Sequence, residues 1–161
     1  SGCFDITLED MGDLQLDKSG SGEFDAGNVG QLEIDKSGSG DLSFASAKSV
    51  YFDASGSGEF EIGDVDGPVR IEKSGSGDVE IASVNGDLRV DKSGSGDVEV
   101  DGGNAPTLIV VNSGSGDVDV DAAVGDADIT ASGSGDIYVK SISGSLREST
   151  SGSADFRRGD D

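Results

Sequence analysis

The sequence repeats the tetrapeptide Ser-Gly-Ser-Gly at nearly even spacing, and every intact copy is followed by Asp or Glu. Intact copies begin at Ser19, Ser37, Ser55, Ser74, Ser93, Ser113 and Ser132, and a degenerate copy, SGSA, begins at Ser151. Successive copies are 18, 18, 19, 19, 20, 19 and 19 residues apart. A flexible Gly-Ser linker does not keep both period and phase. The repeat therefore predicts a fold made of stacked, equivalent units.

Each unit contains two short segments in which apolar and polar residues alternate. The first begins at the acid, as in EFDA (23–26) or DVEV (97–100). The second leads into the next Ser-Gly-Ser-Gly, as in QLEIDK (31–36) or DLRVDK (87–92). Alternation with a period of two predicts half-buried β-strands, with a second corner between them. No segment between the glycines keeps an apolar period of 3.6 residues, so helices are not expected.

A unit of 18–20 residues cannot bury an apolar face alone, but a stack of such units can. We predict an all-β fold, a single-stranded parallel β-helix (β-solenoid) of about eight rungs, right-handed because parallel crossovers favour that hand. Residues 1–161 should form a single domain with a charged C-terminal cap at about 151–161. Equivalent side chains should form columns, for example Val79, Val98, Val118 and Ile137, or Ile81, Val100, Val120 and Val139.

The corner glycines are predicted to be structural, because glycine tolerates a positive φ and a crowded backbone. They are Gly20, Gly22, Gly38, Gly40, Gly56, Gly58, Gly75, Gly77, Gly94, Gly96, Gly114, Gly116, Gly133 and Gly135. Four lysines stand just before a corner and are expected to lie beside the acids across the turn. They are Lys18, Lys36, Lys73 and Lys92.

The acids that follow the corners are the candidate binding face, because stacking would place their carboxylates in a column about 4.8 Å apart. They are Glu23, Asp41, Glu59, Asp78, Asp97, Asp117 and Asp136. One interpretation is a solvated acidic surface, offset by the lysines or adapted to high salt. The other is a face that binds calcium, which takes six to eight oxygen ligands. Calcium-binding repeats of the form GGxGxD place Asp one residue further from the last Gly, so no metal ligands are assigned.

Composition excludes several classes of function. A net charge of −22 argues against binding to nucleic acid, and no run is long and apolar enough to span a bilayer. The sequence has no histidine, and Cys3 has no plausible activating partner. Rung length varies too little to supply loops that wall a cleft. We therefore expect no enzymatic activity and no cofactor, with calcium as the open alternative. A lipid anchor at Cys3 also stays open.

The motifs SGSGDVEV and GDLRVDKSGSGD resemble the bacterial putative auto-transporter adhesin, head GIN domain family, and related putative adhesins with SGD repeats. The resemblance implies a β-solenoid, an extracytoplasmic location (cell envelope, cell surface or secreted) and a non-enzymatic role. It supplies no catalytic or binding residues. Two functions follow as hypotheses: an adhesin-like module that displays its acidic face to an unknown surface ligand, or a structural subunit of a β-solenoid fibre or stalk, with or without stabilisation by calcium. In the second, self-association would use the uncapped N-terminal end, which begins CFDITL.

Overall fold

A computed structural model describes residues 5–159, and these residues form fourteen β-strands and no helix. The strands are β1 (Ile6–Leu8), β2 (Leu14–Lys18), β3 (Phe24–Lys36), β4 (Leu42–Ala54), β5 (Phe60–Val65), β6 (Val69–Lys73), β7 (Val79–Asn85), β8 (Leu88–Lys92), β9 (Val98–Val100), β10 (Gly103–Asn112), β11 (Val118–Ala131), β12 (Ile137–Ile142), β13 (Leu146–Thr150) and β14 (Phe156–Arg158).

The strands coil into about eight rungs, and each rung pairs in parallel with the equivalent strands of the next. Strands β1 and β2 make the first rung, β3 the second and β4 the third. The pairs β5–β6, β7–β8 and β9–β10 make the next three rungs, followed by β11 and by β12–β13. Strand β14 pairs with β12 and starts a ninth turn. The predicted all-β parallel solenoid is confirmed.

Apolar columns fill the interior, as the alternation predicts. Val79 pairs with Val98, Val98 with Val118, and Val118 with Ile137, and all four side chains are buried. The second predicted column, from Ile81 to Val139, keeps the same register. Larger rings occupy the early rungs, where Phe52 and Phe60 stack with their centroids 4.3 Å apart. One continuous hydrophobic core therefore runs through the described rungs.

The second corner is less regular than the sequence predicts. In β3, β4 and β11 one strand continues through this corner, so the expectation of two separate strands per rung is wrong there. The extra residue of the longest rung falls at the segment DGGNAP (101–106). Gly103 in this segment has a φ of 105°. An insertion at this corner leaves both sets of strand columns in register.

The two ends of the described rod differ. At the first rung, Ile6 and Leu8 are each 37% exposed. At the last, Glu148 and Thr150 pair with Ile129 and Ala131, while Arg158 pairs with Val139. Polar residues thus continue the apolar columns at this end. The predictions about Cys3 and about the last two residues of the cap lie outside the described residues.

Candidate functional site

The Ser-Gly-Ser-Gly corners stack so closely that the glycine positions have no room for a side chain. A Cβ placed on Gly94 would lie 1.7 Å from the carbonyl oxygen of Gly75, one rung below. Among residues 5–159, only Gly103 and Gly152 have a positive φ, so the predicted positive φ at the corner glycines is wrong. Glycine is needed there because in-register stacking aims each corner carbonyl at the Cα of the next rung. The predicted crowding is confirmed.

The acids after the corners form the predicted column, here called the acid ladder, and hydrogen bonds connect its members from rung to rung. The backbone N–H of one acid donates to Oδ1 of the Asp one rung earlier, at N···O distances of 2.7–3.2 Å. The donor and acceptor pairs are Glu23 with Asp5, Glu59 with Asp41, Asp97 with Asp78, Asp117 with Asp97, Asp136 with Asp117, and Asp155 with Asp136. All six acceptors are Asp. The ladder therefore has a structural role that spacing did not reveal.

The second carboxylate oxygen of a ladder Asp is available to a cation. Oδ1 of Asp136 accepts the N–H of Asp155, whereas its Oδ2 lies 3.5 Å from Nη2 of Arg157. The same nitrogen lies 3.7 Å from Oδ2 of Asp155. One guanidinium thus contacts two successive rungs through oxygens that the ladder's own hydrogen bonds leave unused. At this end of the ladder, the outward carboxylate oxygens thus contact a basic group.

A second acidic column runs beside the ladder, two residues further along each rung. It includes Asp25, Glu61, Glu80, Glu99 and Asp119, which follow the strand register. Burial, and then the neighbouring Glu61, raises the pKa of Glu80. Burial and Asp121 likewise raise the pKa of Asp119. Within residues 5–159, no group of three or more His, Cys, Asp or Glu converges as metal ligands. The calcium hypothesis stays a prediction.

Three of the lysines that precede the corners lie inside the solenoid, and the ladder acids favour their charged form from across the glycine corner. Lys36, Lys73 and Lys92 are at most 4% exposed, and Nζ of Lys92 donates to the carbonyl oxygen of Gly116 at 2.5 Å. The alternation of inward and outward residues indicates this burial, because Lys36 stands two residues after the inward Ile34. Burial and, next, a neighbouring lysine lower the pKa of Lys36 and of Lys92 to about 8.

The ladder and the buried ammonium groups act on each other through the glycine corner. The carboxylate of Asp41 favours the charged form of Lys36, and Asp78 with Asp97 does the same for Lys73. In the sixth rung, Asn112 takes the lysine position. Its Oδ1 accepts the N–H of Gly114, and its Nδ2 donates to the carbonyl of Gly116. The interior of this corner thus stays polar and hydrogen-bonded without a lysine.

The model of a known family matches the chain. This model, described as Putative auto-transporter adhesin, head GIN domain, matches residues 1–104 and, in a second overlapping match, residues 66–159. The chain belongs to this family. Searches of the curated proteins and of the solved structures found no match to this member of the head GIN family. Within residues 5–159, nothing helical is long and apolar enough to cross a membrane.

Proposed function

We propose that this head GIN protein is a non-enzymatic, extracytoplasmic, adhesin-like module that presents its acid ladder to a cationic ligand. The proposal rests on the contacts of Arg157, whose guanidinium lies beside the outward oxygens of Asp136 and Asp155. A basic group from a partner would meet the same outward oxygens on the earlier rungs. The description of the family supports a surface location and an adhesin-like role.

Repetition and rigidity suit the ladder to this role. Carboxylates about 4.8 Å apart along a rod offer many weak, identical contacts, and a ligand with several basic groups gains avidity from them. A net charge of −22 also attracts a cationic partner over long range. The corner glycines and the hydrogen bonds between rungs hold the ladder in place before the ligand arrives, which lowers the entropic cost of binding.

Binding of a fluorescent oligo-lysine peptide tests the proposal. The triple variant Asp78→Asn, Asp97→Asn, Asp117→Asn keeps the side-chain oxygens that accept backbone N–H groups but removes three ladder charges. We expect its affinity to fall about tenfold or more, and the affinity of the parent protein to fall steeply with added salt. The matched control is Asp64→Asn, Asp66→Asn, Asp128→Asn, which makes the same charge change elsewhere. An equal loss in the control would reduce the effect to net charge and overturn the proposal.

The fibre or stalk is the second candidate, favoured by exposed apolar side chains at the first described rung. Ile6 and Leu8 are each 37% exposed there. Light scattering at rising protein concentration, in calcium and in chelator at matched ionic strength, tests it. A constant monomer mass in both conditions would eliminate fibre formation and calcium bridging together. Mass that rises in both supports stacking, and mass that rises only in calcium supports calcium bridging.

A further inference from the structure

A groove of about 590 Å³ lies on a different face of the rod from the acid ladder. It runs along the rod axis and crosses the rungs from Asp13 to Ile109. Its floor passes over the buried Leu32, Val50 and Val69. One of its walls is a column of outward side chains in successive rungs, Tyr51, Arg70, Arg89 and Ile109. The groove is therefore built by the regular strand register.

The lining of this groove is nearly neutral, in contrast to the rest of the chain. It contains three acids and two arginines, a net charge of −1, whereas the whole chain carries −22. The acid ladder repels anions, and it competes with the groove for any polycation. The ladder neither repels nor attracts an uncharged ligand, so the near-neutral groove is suited to an uncharged ligand.

Planar polar groups and one aromatic ring stand at the middle of the groove. The guanidinium carbon of Arg70 lies 5.7 Å from the centre of the Tyr51 ring, and Nε of Arg70 donates to Glu72 at 2.8 Å. These contacts hold the Tyr51 and Arg70 side chains in place. Arg89, one rung later, lies 4.0 Å from Asp91 and has a side chain that is 41% exposed. Its N–H groups can donate to a ligand.

The backbone beneath the groove is fully paired, which argues against a peptide ligand. Strands β2, β3, β4, β6, β8 and β10 form a continuous parallel sheet there. An added peptide strand has no sheet edge to pair with at this place. We propose that the groove binds a linear, uncharged oligosaccharide. The Tyr51 ring packs on the face of a sugar ring, and Arg89, Gln31 and Glu33 exchange hydrogen bonds with hydroxyl groups.

The experiment uses hexamers of β-1,4-linked glucose, β-1,4-linked N-acetylglucosamine and α-1,4-linked glucose as probes. The sequence has two tyrosines and no tryptophan, so tyrosine fluorescence of a Tyr138→Phe variant reports on Tyr51 alone. We expect at least one hexamer to change this fluorescence in a saturable way. Calorimetry should then show affinity that falls about fivefold or more in Tyr51→Ala and in Arg89→Gln. Tyr51→Phe, which keeps the ring, and Tyr138→Ala, on the acidic face, should bind as the parent does.

Two controls separate this site from the acid ladder. Added salt and the triple Asn variant of the ladder should leave hexamer affinity unchanged, so the two proposals can fail independently. Circular dichroism verifies that each variant is folded. Three results would overturn the inference: no binding of any hexamer at millimolar concentration, equal affinity of Tyr51→Ala and parent, or displacement of the hexamer by oligo-lysine peptide.

Discussion

At the scale of the residue, the burial of lysine ammonium groups carries a free-energy cost. Lys36 and Lys92 are 1% and 0% exposed, and each pKa falls from 10.5 to about 8. A shift of that size corresponds to about 3 kcal/mol in favour of the neutral form. The hydrogen bond from Lys92 to Gly116 and the acids beyond the corner offset only part of this cost.

The lowered pKa values predict an unusual dependence of stability on pH. Unfolded lysine stays protonated to about pH 10.4, whereas Lys36 and Lys92 lose their protons near pH 8 in the folded state. Between these values the unfolded state binds more protons, so the free energy of unfolding should rise with pH. Urea unfolding followed by circular dichroism measures this rise. Burial also lowers the pKa of Lys73, so the rise should be lost in the triple variant Lys36→Met, Lys73→Met, Lys92→Met and persist in Lys140→Met, which alters an exposed lysine. A rise that survives unchanged in the triple variant would contradict the assignment.

The hydrogen bonds of the acid ladder predict that, at a single ladder position, the side-chain oxygen that accepts the hydrogen bond contributes more to stability than the negative charge does. Asp117→Ala removes the acceptor that binds the N–H of Asp136 at 2.7 Å and should lower the free energy of unfolding by about 1 kcal/mol. Asp117→Asn keeps an oxygen acceptor and relieves repulsion from neighbouring acids, so it should be neutral or stabilising. Thermal unfolding of both variants makes the comparison. Equal destabilisation by Ala and Asn would show that the charge, and not the acceptor, is what the rung requires.

At the scale of the element, the corner is the part of the fold that tolerates least change. A Cβ on Gly94 would lie 1.7 Å from the Gly75 oxygen, and this contact is with backbone, which cannot move without breaking the register. Gly94→Ala should therefore cost about 3 kcal/mol or more. Gly12→Ala is the control, because open space surrounds the position of its Cβ. Chemical unfolding of both variants measures the difference. A mild effect at Gly94 would mean that the corner relaxes more than close stacking allows.

The sequence predicted the columns well because alternation reports directly which side of a strand a residue faces. It predicted the corner poorly, since a tight turn with positive φ and a close stack with ordinary φ both require glycine. The burial of the lysines was not predicted, although the alternation that places Ile34 inward also places Lys36 inward. The contacts of Arg157 with Asp136 and Asp155 join separate rungs, and the spacing of the repeats in the sequence does not predict them.

At the scale of the whole molecule, repulsion among the carboxylates limits the stability of the rod, and dissolved ions screen this repulsion. The ladder and its neighbouring column place like charges side by side, and the raised pKa values of Glu80 and Asp119 come partly from these neighbours. Added sodium chloride should therefore raise the unfolding temperature. The triple Asn variant of the ladder should unfold at a higher temperature in low salt and gain less from added salt. Identical salt responses of variant and parent would show that ladder repulsion does not limit stability.

The in-register pairing of rungs also bears on how such a chain can change over generations. Val79–Asp97 is one repeat, and its removal would join Asp78 to Val98, which pairs in the same column as Val79. Such a deletion exchanges one corner for its equivalent, so we expect the shortened chain to fold. Recombination between the copies of this repeat would then add or remove whole rungs in a single event. Rod length can thus vary in units of one rung while each remaining residue keeps the same kind of neighbour.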